Sequence, residues 1–202
     1  MLFVISGPSG CGKSTLVHHV LAALPGLAFS VSHTTRPRRE GEKDGEDYHF
    51  VGKEEFEKMI AESRLAEWAV VHGNLYGTSK RELELRGASN TDVILDIDVQ
   101  GARQIREKYK KGLFIFVLPP SFSQLKERLV KRGKDAPDVI SMRLAMARRE
   151  IRAYPQFDYI IINETLETAK REIEAIILSE RCRLKKRQKG IIPILRSFAE
   201  PE

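Results

Sequence analysis

The chain has 202 residues, 42% of them hydrophobic and 31% charged, enough to bury one substantial α/β core carrying a small insertion but too few for two large domains. No apolar stretch approaches the length of a membrane span, and the first apolar run begins without a charged leader, so a cytoplasmic protein with no membrane partner is expected. The net charge of +6 sits almost wholly in residues 181–202, where Arg181, Arg183, Lys185, Lys186, Arg187, Lys189 and Arg196 outnumber Glu200 and Glu202; such a run is usually a solvated helix face, which leaves nucleic acid or a membrane surface as the lesser alternative.

Leu2–Ile5 is an apolar run that predicts a buried first strand. The residues after it are Gly7, Pro8, Ser9, Gly10, Cys11, Gly12, Lys13, Ser14 and Thr15, a match to G-x-x-x-x-G-K-[ST]. In this pattern the glycines let backbone N–H groups converge on phosphate oxygens. Lys13 supplies a point charge for the β- and γ-phosphates, and Ser14 offers a hydroxyl to Mg²⁺. Leu16, Val20, Leu21 and Leu24 follow at helical spacing, so a helix N-terminus is aimed at the same anion. Strand, loop and helix together predict a nucleoside-triphosphate user. Cys11, inside this loop, and Cys182, far along the chain, fit neither a disulfide framework nor a metal site and are expected to be free thiols.

Residues 30–90 break the strand–helix rhythm. Thr34–Asp47 is polar and turn-rich, Asp47–Val51 and Leu65–His72 predict short strands with a helix over Glu54–Ala61 between them, and Ser79–Arg86 predicts another helix. An α+β insertion projecting from the main sheet is the simplest account. Within it Arg36, Arg38 and Arg39 crowd a proline-stiffened loop, and guanidinium forks match phosphate bidentately. Tyr48 and Tyr76 each lie on a short, glycine-flanked segment, as hydroxyl donors positioning the same anion would.

Beyond the insertion, buried strands are predicted at Val93–Ile97, Leu113–Leu118 and Tyr159–Ile162, with helices over Gln100–Tyr109 and Ser121–Arg132; alternation of this kind predicts a parallel sheet covered on both faces. Asp96 and Asp98 close the run Val93–Ile94–Leu95. Period-two alternation would put both on one face at the strand end, placed to orient Mg²⁺ or its waters. Gly133–Asp138, flanked by Arg128, Arg132 and Arg143, reads as a hinged loop. A last long helix is predicted from Leu166 to about Lys186, with Ala169, Ile173, Ile176, Ile177 and Leu184 on one stripe.

The segments GPSGCGKST, FSVSHTTRPRREGE, GEDYHF, LAEWAVVHGNLYGT and VILDIDVQG, in this order, resemble the guanylate kinase family from about Leu2 through Glu180. The resemblance implies a P-loop nucleoside-monophosphate kinase with a parallel-sheet core (residues 1–32 and 91–202), a GMP-binding insertion (33–90) and a lid (about 128–143). It implies transfer of phosphate from ATP to GMP or dGMP with Mg²⁺. Carried over residue by residue, it assigns Arg36, Arg39, Tyr48 and Tyr76 to the GMP phosphate and Ser32, Glu67, Thr78 and Asp98 to guanine. It assigns Asp96, with Ser14, to the metal side. Lys13 and the lid arginines Arg128, Arg132 and Arg143 fall to the transferring phosphoryl group. His33 stands where many relatives carry a small hydroxyl residue, and Arg38 adds a guanidinium next to Arg39, which leaves open which of the two meets phosphate. Guanine shows an O6 acceptor beside N1–H and N2–H₂ donors, so a carboxylate such as Glu67 can accept from both donors, whereas adenine would leave it unpaired. A kinase acting on a phosphorylated ribose, or a non-catalytic guanylate-kinase-like binding module, are the alternatives; the first has no use for Glu67, and the second would be free to lose the loop lysine. The nucleophile would be an ionised phosphate oxygen, so no general base is required.

Overall fold

The computed structural model describes residues 1–88, 91–109, 112–131, 133 and 136–198. Five parallel strands form the main sheet in the order β2 (Leu27–Phe29), β7 (Asp92–Asp96), β1 (Leu2–Ser6), β8 (Gly112–Leu118) and β9 (Tyr159–Ile162). Strand β1 is central, its Val4 in register with Leu95 on one side and Phe114 on the other. The chain moves from β1 to one side of the sheet first and to the other side later. The loop after β1 therefore opens at the carboxyl edge of the sheet, where such folds bind ligands.

Alternation along the strands explains the two-sided core. Phe3 and Ile5 point to one face and pack with Leu16 and Val20 of α1 (Lys13–Ala23) and with Ala169, Ile173 and Ile177 of α7 (Leu166–Cys182). Val4, Val93 and Leu95 point to the other face and meet Ala102 and Ile105 of α4 (Val99–Lys108). These strands are buried on both faces and read as continuous apolar runs, as parallel sheets require.

A second, four-stranded sheet has the order β4 (His49–Phe50), β3 (His33–Thr34), β6 (Asn74–Ser79) and β5 (Leu65–Val71). Its β3–β6 and β5–β6 pairs are antiparallel, and α2 (Lys53–Ala61) buries Phe56 and Met59 against Leu65. Helix α3 (Lys80–Ala88) leads back to β7. Helices α5 (Phe122–Lys131) and α6 (Pro137–Glu150) pack through Leu125, Leu129, Leu144 and Ala147, and α6 runs into a 3-10 turn at Ile151–Gln156.

Several expectations change at the edges. Strand β2 and the two-residue β3 are too short to signal themselves by alternation. Strand β6 contains Asn74, Gly77 and Ser79, residues of low strand propensity, yet it pairs on both sides. The last long helix stops at Cys182, because Arg183 adopts φ −56° and ψ 137°, and α8 (Leu184–Ser197) starts afresh. Leu184 is consequently 74% exposed and does not join the buried stripe of Ala169, Ile173 and Ile177. Both cysteines are free thiols, as expected. Among the described residues, no helix is long and apolar enough to cross a membrane.

Candidate active site

The loop between β1 and α1 is shaped from both ends. Gly12 caps α1 with φ +101°, a left-handed conformation, and a Cβ at this position would collide with Nδ2 of Asn163. That amide, just past the end of β9, donates to the Cys11 carbonyl at 2.8 Å and holds the loop against the neighbouring strand. Lys13 folds back over the loop, donating from Nζ to the carbonyls of Gly7 at 2.7 Å and Pro8 at 3.2 Å. Burial works against the charge on Lys13, but Cys11, Asp96, Glu150 and Asp98 together hold its pKa above the ordinary lysine value. Burial pushes the Cys11 thiol up, against the opposing pull of Lys13, and so away from reactive thiolate.

Ser14, at the start of α1, donates from Oγ to Oδ2 of Asp96 at 2.9 Å. Asp96 closes β7, directly beside β1 in the sheet. Burial raises its pKa, while Lys13 and the Ser14 hydroxyl pull the other way. A hydroxyl and a carboxylate converging at a strand end form a hard oxygen donor pair of the type Mg²⁺ takes, with water and phosphate completing its shell. Among the described residues, no group of three His, Cys, Asp or Glu side chains could hold a metal by itself.

Arg36, Tyr48 and Tyr76 come together on the small sheet. Arg36 donates from Nε to the Tyr76 hydroxyl at 3.2 Å and from Nη2 to Glu42 at 2.7 Å. Its guanidinium lies 5.6 Å from the Tyr48 ring centre and 5.7 Å from that of Phe50, and the two tyrosine rings meet edge-on at 5.8 Å. Burial opposes the Arg36 charge, yet Glu42 and Tyr76 raise its pKa. Burial, reinforced by Asp96, pushes the Tyr48 hydroxyl well above its ordinary value, so it stays a donor. Glu42 also accepts from the Arg39 backbone N–H at 2.8 Å, which fixes the turn carrying Arg39; the side chain of Arg39 is half-buried and that of Arg38 exposed.

Glu67 lies 3% exposed on β5, opposite Thr78 of β6. Strand β5 bulges between Leu65 and Glu67, so Leu65, Ala66 and Glu67 are all buried, where strict alternation would turn one of them outward. Thr78 Oγ1 donates to Glu67 Oε1 at 2.6 Å. A threonine has one hydroxyl proton, so in the Ser32–Thr78 contact at 3.3 Å the donor is Ser32. Ser32, Thr78 and Glu67 thus form a buried chain that ends on the carboxylate. Burial raises the Glu67 pKa to about 7, Asp98 adds to the shift, and the Thr78 hydrogen bonds oppose it.

Asp98 corrects the strand-based expectation. β7 ends at Asp96, and Asp98 is instead the N-cap of α4, accepting from the Gly101 backbone N–H at 2.8 Å and from Gln100 Nε2 at 3.0 Å. The two aspartates therefore do not share a strand face. Asp98 still approaches Glu67 by another route. A Cβ on Gly101 would collide with Glu67 Oε2 and lie 3.3 Å from Asp98 Oδ1, so this glycine leaves room for both carboxylates.

Arg128 on α5 donates to the Asn163 carbonyl at 2.7 Å, which brings it beside the phosphate loop, and Arg143 is buried on α6. Arg132 lies outside the described residues, as do residues 134–135 of the expected hinged loop. Sequence reasoning missed Asn163, Glu42 and Glu150. Asn163 carried a faint signal as a polar residue ending an apolar strand, and Glu42 as the acid within an arginine-rich loop. Glu150 had none, because only the fold turns the last residue of α6 toward Lys13; burial raises its pKa, Lys13 opposes that, and its Oε2 is buried without a hydrogen-bond partner among the described residues.

Comparison with known proteins agrees with this geometry. Residues 1–180 match the guanylate kinase family. The chain is 48% identical over 183 residues to a guanylate kinase of Geobacter metallireducens, covering 91% of this chain and 90% of that protein. It is 50% identical over 183 residues to one of Syntrophotalea carbinolica, covering 91% and 87%. The crystal structure of guanylate kinase from Anaplasma phagocytophilum superimposes with a TM-score of 0.74 at 33% identity, covering 91% of this chain and 87% of that one. With the phosphate loop, the arginine–tyrosine cluster and the buried glutamate all inside the matched span, the chain belongs to the guanylate kinase family.

Proposed function

We propose that the chain transfers the γ-phosphoryl group of ATP to the phosphate of GMP, and of dGMP, giving ADP and the nucleoside diphosphate. The observation that carries this reading is the placement of Glu67. A buried carboxylate faces the same side of the small sheet as Thr78, and Thr78 is two residues from Tyr76, the partner of Arg36. Residues two apart on a strand share a face, so one strand would present a base reader and a phosphate ligand to a single nucleotide.

The residues divide the work by chemistry. Arg36, Arg39, Tyr48 and Tyr76 offer only donors to the acceptor phosphate. Glu67 accepts from guanine N1–H and N2–H₂, with Ser32, Thr78 and Asp98 around the base. Arg39 is preferred over Arg38 as the second guanidinium because Glu42 fixes its backbone and its side chain is partly covered. On the donor side, residues 7–15 cradle the ATP phosphates through backbone N–H groups, and Lys13 exchanges the carbonyls of Gly7 and Pro8 for phosphate oxygens. Ser14 and Asp96 would hold Mg²⁺, which when bound neutralises charge on the β- and γ-phosphates.

An oxygen of the GMP phosphate attacks the γ-phosphorus while the bond to the β–γ bridging oxygen breaks. The attacking oxygen is ionised at neutral pH, so the protein has to align and neutralise rather than remove a proton. Arg128 from α5 and Arg143 from α6 supply charge, and Arg132 is assigned to the same task by the family resemblance. Closure of this lid region (about 128–143) and of the small sheet (33–90) over both nucleotides excludes water that would otherwise hydrolyse ATP.

Replacing Glu67 by Gln tests the base assignment. The amide accepts through one oxygen and presents an N–H₂ where guanine also donates, so the KM for GMP should rise at least tenfold with the KM for ATP unchanged. Equal effects on both nucleotides would place Glu67 outside the base site.

A further inference from the structure

Strand β5, which carries Glu67, is the outer strand of its sheet, and among the described residues its far edge has no strand partner. An open edge leaves backbone N–H and C=O groups that something else must satisfy. Here helix α4 of the main domain supplies them with side chains. The side-chain amide of Gln104 donates from Nε2 to the Trp68 carbonyl at 2.6 Å, and its Oε1 accepts from the Trp68 N–H at 3.2 Å. Lys108, one turn further along α4, donates from Nζ to the Ala66 carbonyl at 2.8 Å. Ala66 is the residue at the β5 bulge, so its carbonyl is one that the ladder with β6 leaves over.

These contacts bracket Glu67, with Ala66 before it and Trp68 after it. Gly101, Gln104 and Lys108 fall at i, i+3 and i+7, and therefore lie along one face of α4. The first makes room for the Glu67 carboxylate, and the other two fix the backbone on either side of it. The Gln104 amide presents one N–H and its carbonyl oxygen to Trp68 in nearly the geometry of a peptide group, and so it stands in for a paired strand residue at this point.

We infer that Gln104, assisted by Lys108, is a positioning residue for base recognition, clasping the bulged edge of β5 to α4 so that Glu67 is held in the orientation in which it meets guanine. It touches no nucleotide. Its effect passes through Glu67 and depends on the assignment of Glu67 to the base. The same clasp ties the small sheet to the helix capped by Asp98, so the carboxylates of Glu67 and Asp98 are set by one element.

A double-mutant cycle tests this. Gln104→Leu removes the donor and the acceptor while keeping similar bulk. It should raise the KM for GMP about fivefold, the scale of one lost hydrogen bond's net contribution, and leave the KM for ATP unchanged. In the Glu67→Gln background the same substitution should change the KM for GMP by less than about twofold, because the group being positioned is gone. If Gln104→Leu fails to fold, Gln104→Glu carries the same test: it keeps length and polarity but sets an acceptor against the Trp68 carbonyl. A KM for GMP moved by Glu67→Gln but not by the Gln104 variant overturns the inference alone. Full additivity, or an equal rise for ATP, assigns Gln104 a general structural role and overturns it too. A KM for GMP unmoved by Glu67→Gln overturns the base assignment and the inference with it.

Discussion

Thr78 donates its hydroxyl proton to Glu67 at 2.6 Å across the β5–β6 pairing, and both side chains are buried. Burial outweighs the hydrogen bonds that Thr78 gives the carboxylate, and its pKa stands at about 7. With Glu67 in its proposed role as the base reader, a carboxyl titrating near neutrality would make recognition sensitive to pH.

The sign follows from the direction of the shift. Burial raises the folded-state pKa of Glu67, so its contribution to stability is full below the ordinary carboxylate range and is lost as pH rises through about 7. Guanine binding has the opposite preference, because only the carboxylate can accept from both N1–H and N2–H₂. The KM for GMP should therefore fall about tenfold between about pH 6 and pH 8. A phosphate monoester itself titrates near pH 6, so Glu67→Gln is the control: its profile should keep the phosphate component and lose the rest. Thr78→Val removes an opposing hydrogen bond and should move the midpoint to higher pH.

Lys13→Ala should leave the fold intact and lower kcat by about 10²–10³, the scale of losing one preorganised charge at the transferring phosphoryl. Its amino group donates to the loop carbonyls of Gly7 and Pro8 and to no core element among the described residues, so circular dichroism should be unchanged. Turnover near that of the unmodified protein would remove Lys13 from the mechanism.

The loop clamp makes two substitutions separable. Gly12→Ala imposes a side chain on a positive-φ residue and drives it into Asn163, so ATP binding should be lost and thermal stability lowered. Asn163→Ala deletes the hydrogen bond to the Cys11 carbonyl but relieves that collision. The pair should be less damaging together than the sum of the single changes, measurable as a positive coupling in melting temperature.

Asp98 caps α4 and is proposed to lie at the base, and a pair of variants can divide the two. Asp98→Ala removes the N-cap of α4 and should cost about 1 kcal/mol of stability. Asp98→Asn retains an oxygen for the Gly101 N–H and should be close to the unmodified protein in stability. A KM for GMP raised in Asp98→Asn as well would tie the carboxylate charge to the base site; a KM raised only in Asp98→Ala would leave it as a cap.

The phosphate loop was legible because its chemistry is local: the glycines, Lys13 and Ser14 are consecutive, and Leu2–Ile5 and Leu16–Leu24 frame them. The four longer strands of the main sheet were legible as apolar runs: β1, β7 and β8 are largely buried, and β9, though Ile160 and Ile162 are exposed, is the run Tyr159–Ile162. The arginine-rich loop and the two tyrosines were legible from their donor chemistry, whereas Glu67 became legible only through family resemblance, since a lone glutamate beside Trp68 has the composition of an edge strand. What sequence could not show is what pairs across distance. The Asn163–Cys11 and Gln104–Trp68 hydrogen bonds join residues far apart in the chain, and neither amide has a spacing that marks it. The placement of Asp98 failed for a different reason. Alternation was extended two residues past the point where β7 ends and α4 takes over, and the helix cap overrides the strand period.

Phosphorylation of GMP at the expense of ATP, with guanine selected through a buried carboxylate, is open to a direct assay. ADP release measured by a coupled assay, with ATP and Mg²⁺ against GMP, dGMP, AMP, CMP and UMP in turn, addresses it most directly. Turnover is expected with GMP and dGMP and, for AMP, a kcat/KM lower by a factor of about 10⁴, because adenine leaves Glu67 facing a lone pair. Comparable turnover of AMP and GMP, or no turnover with either guanine nucleotide, would contradict it.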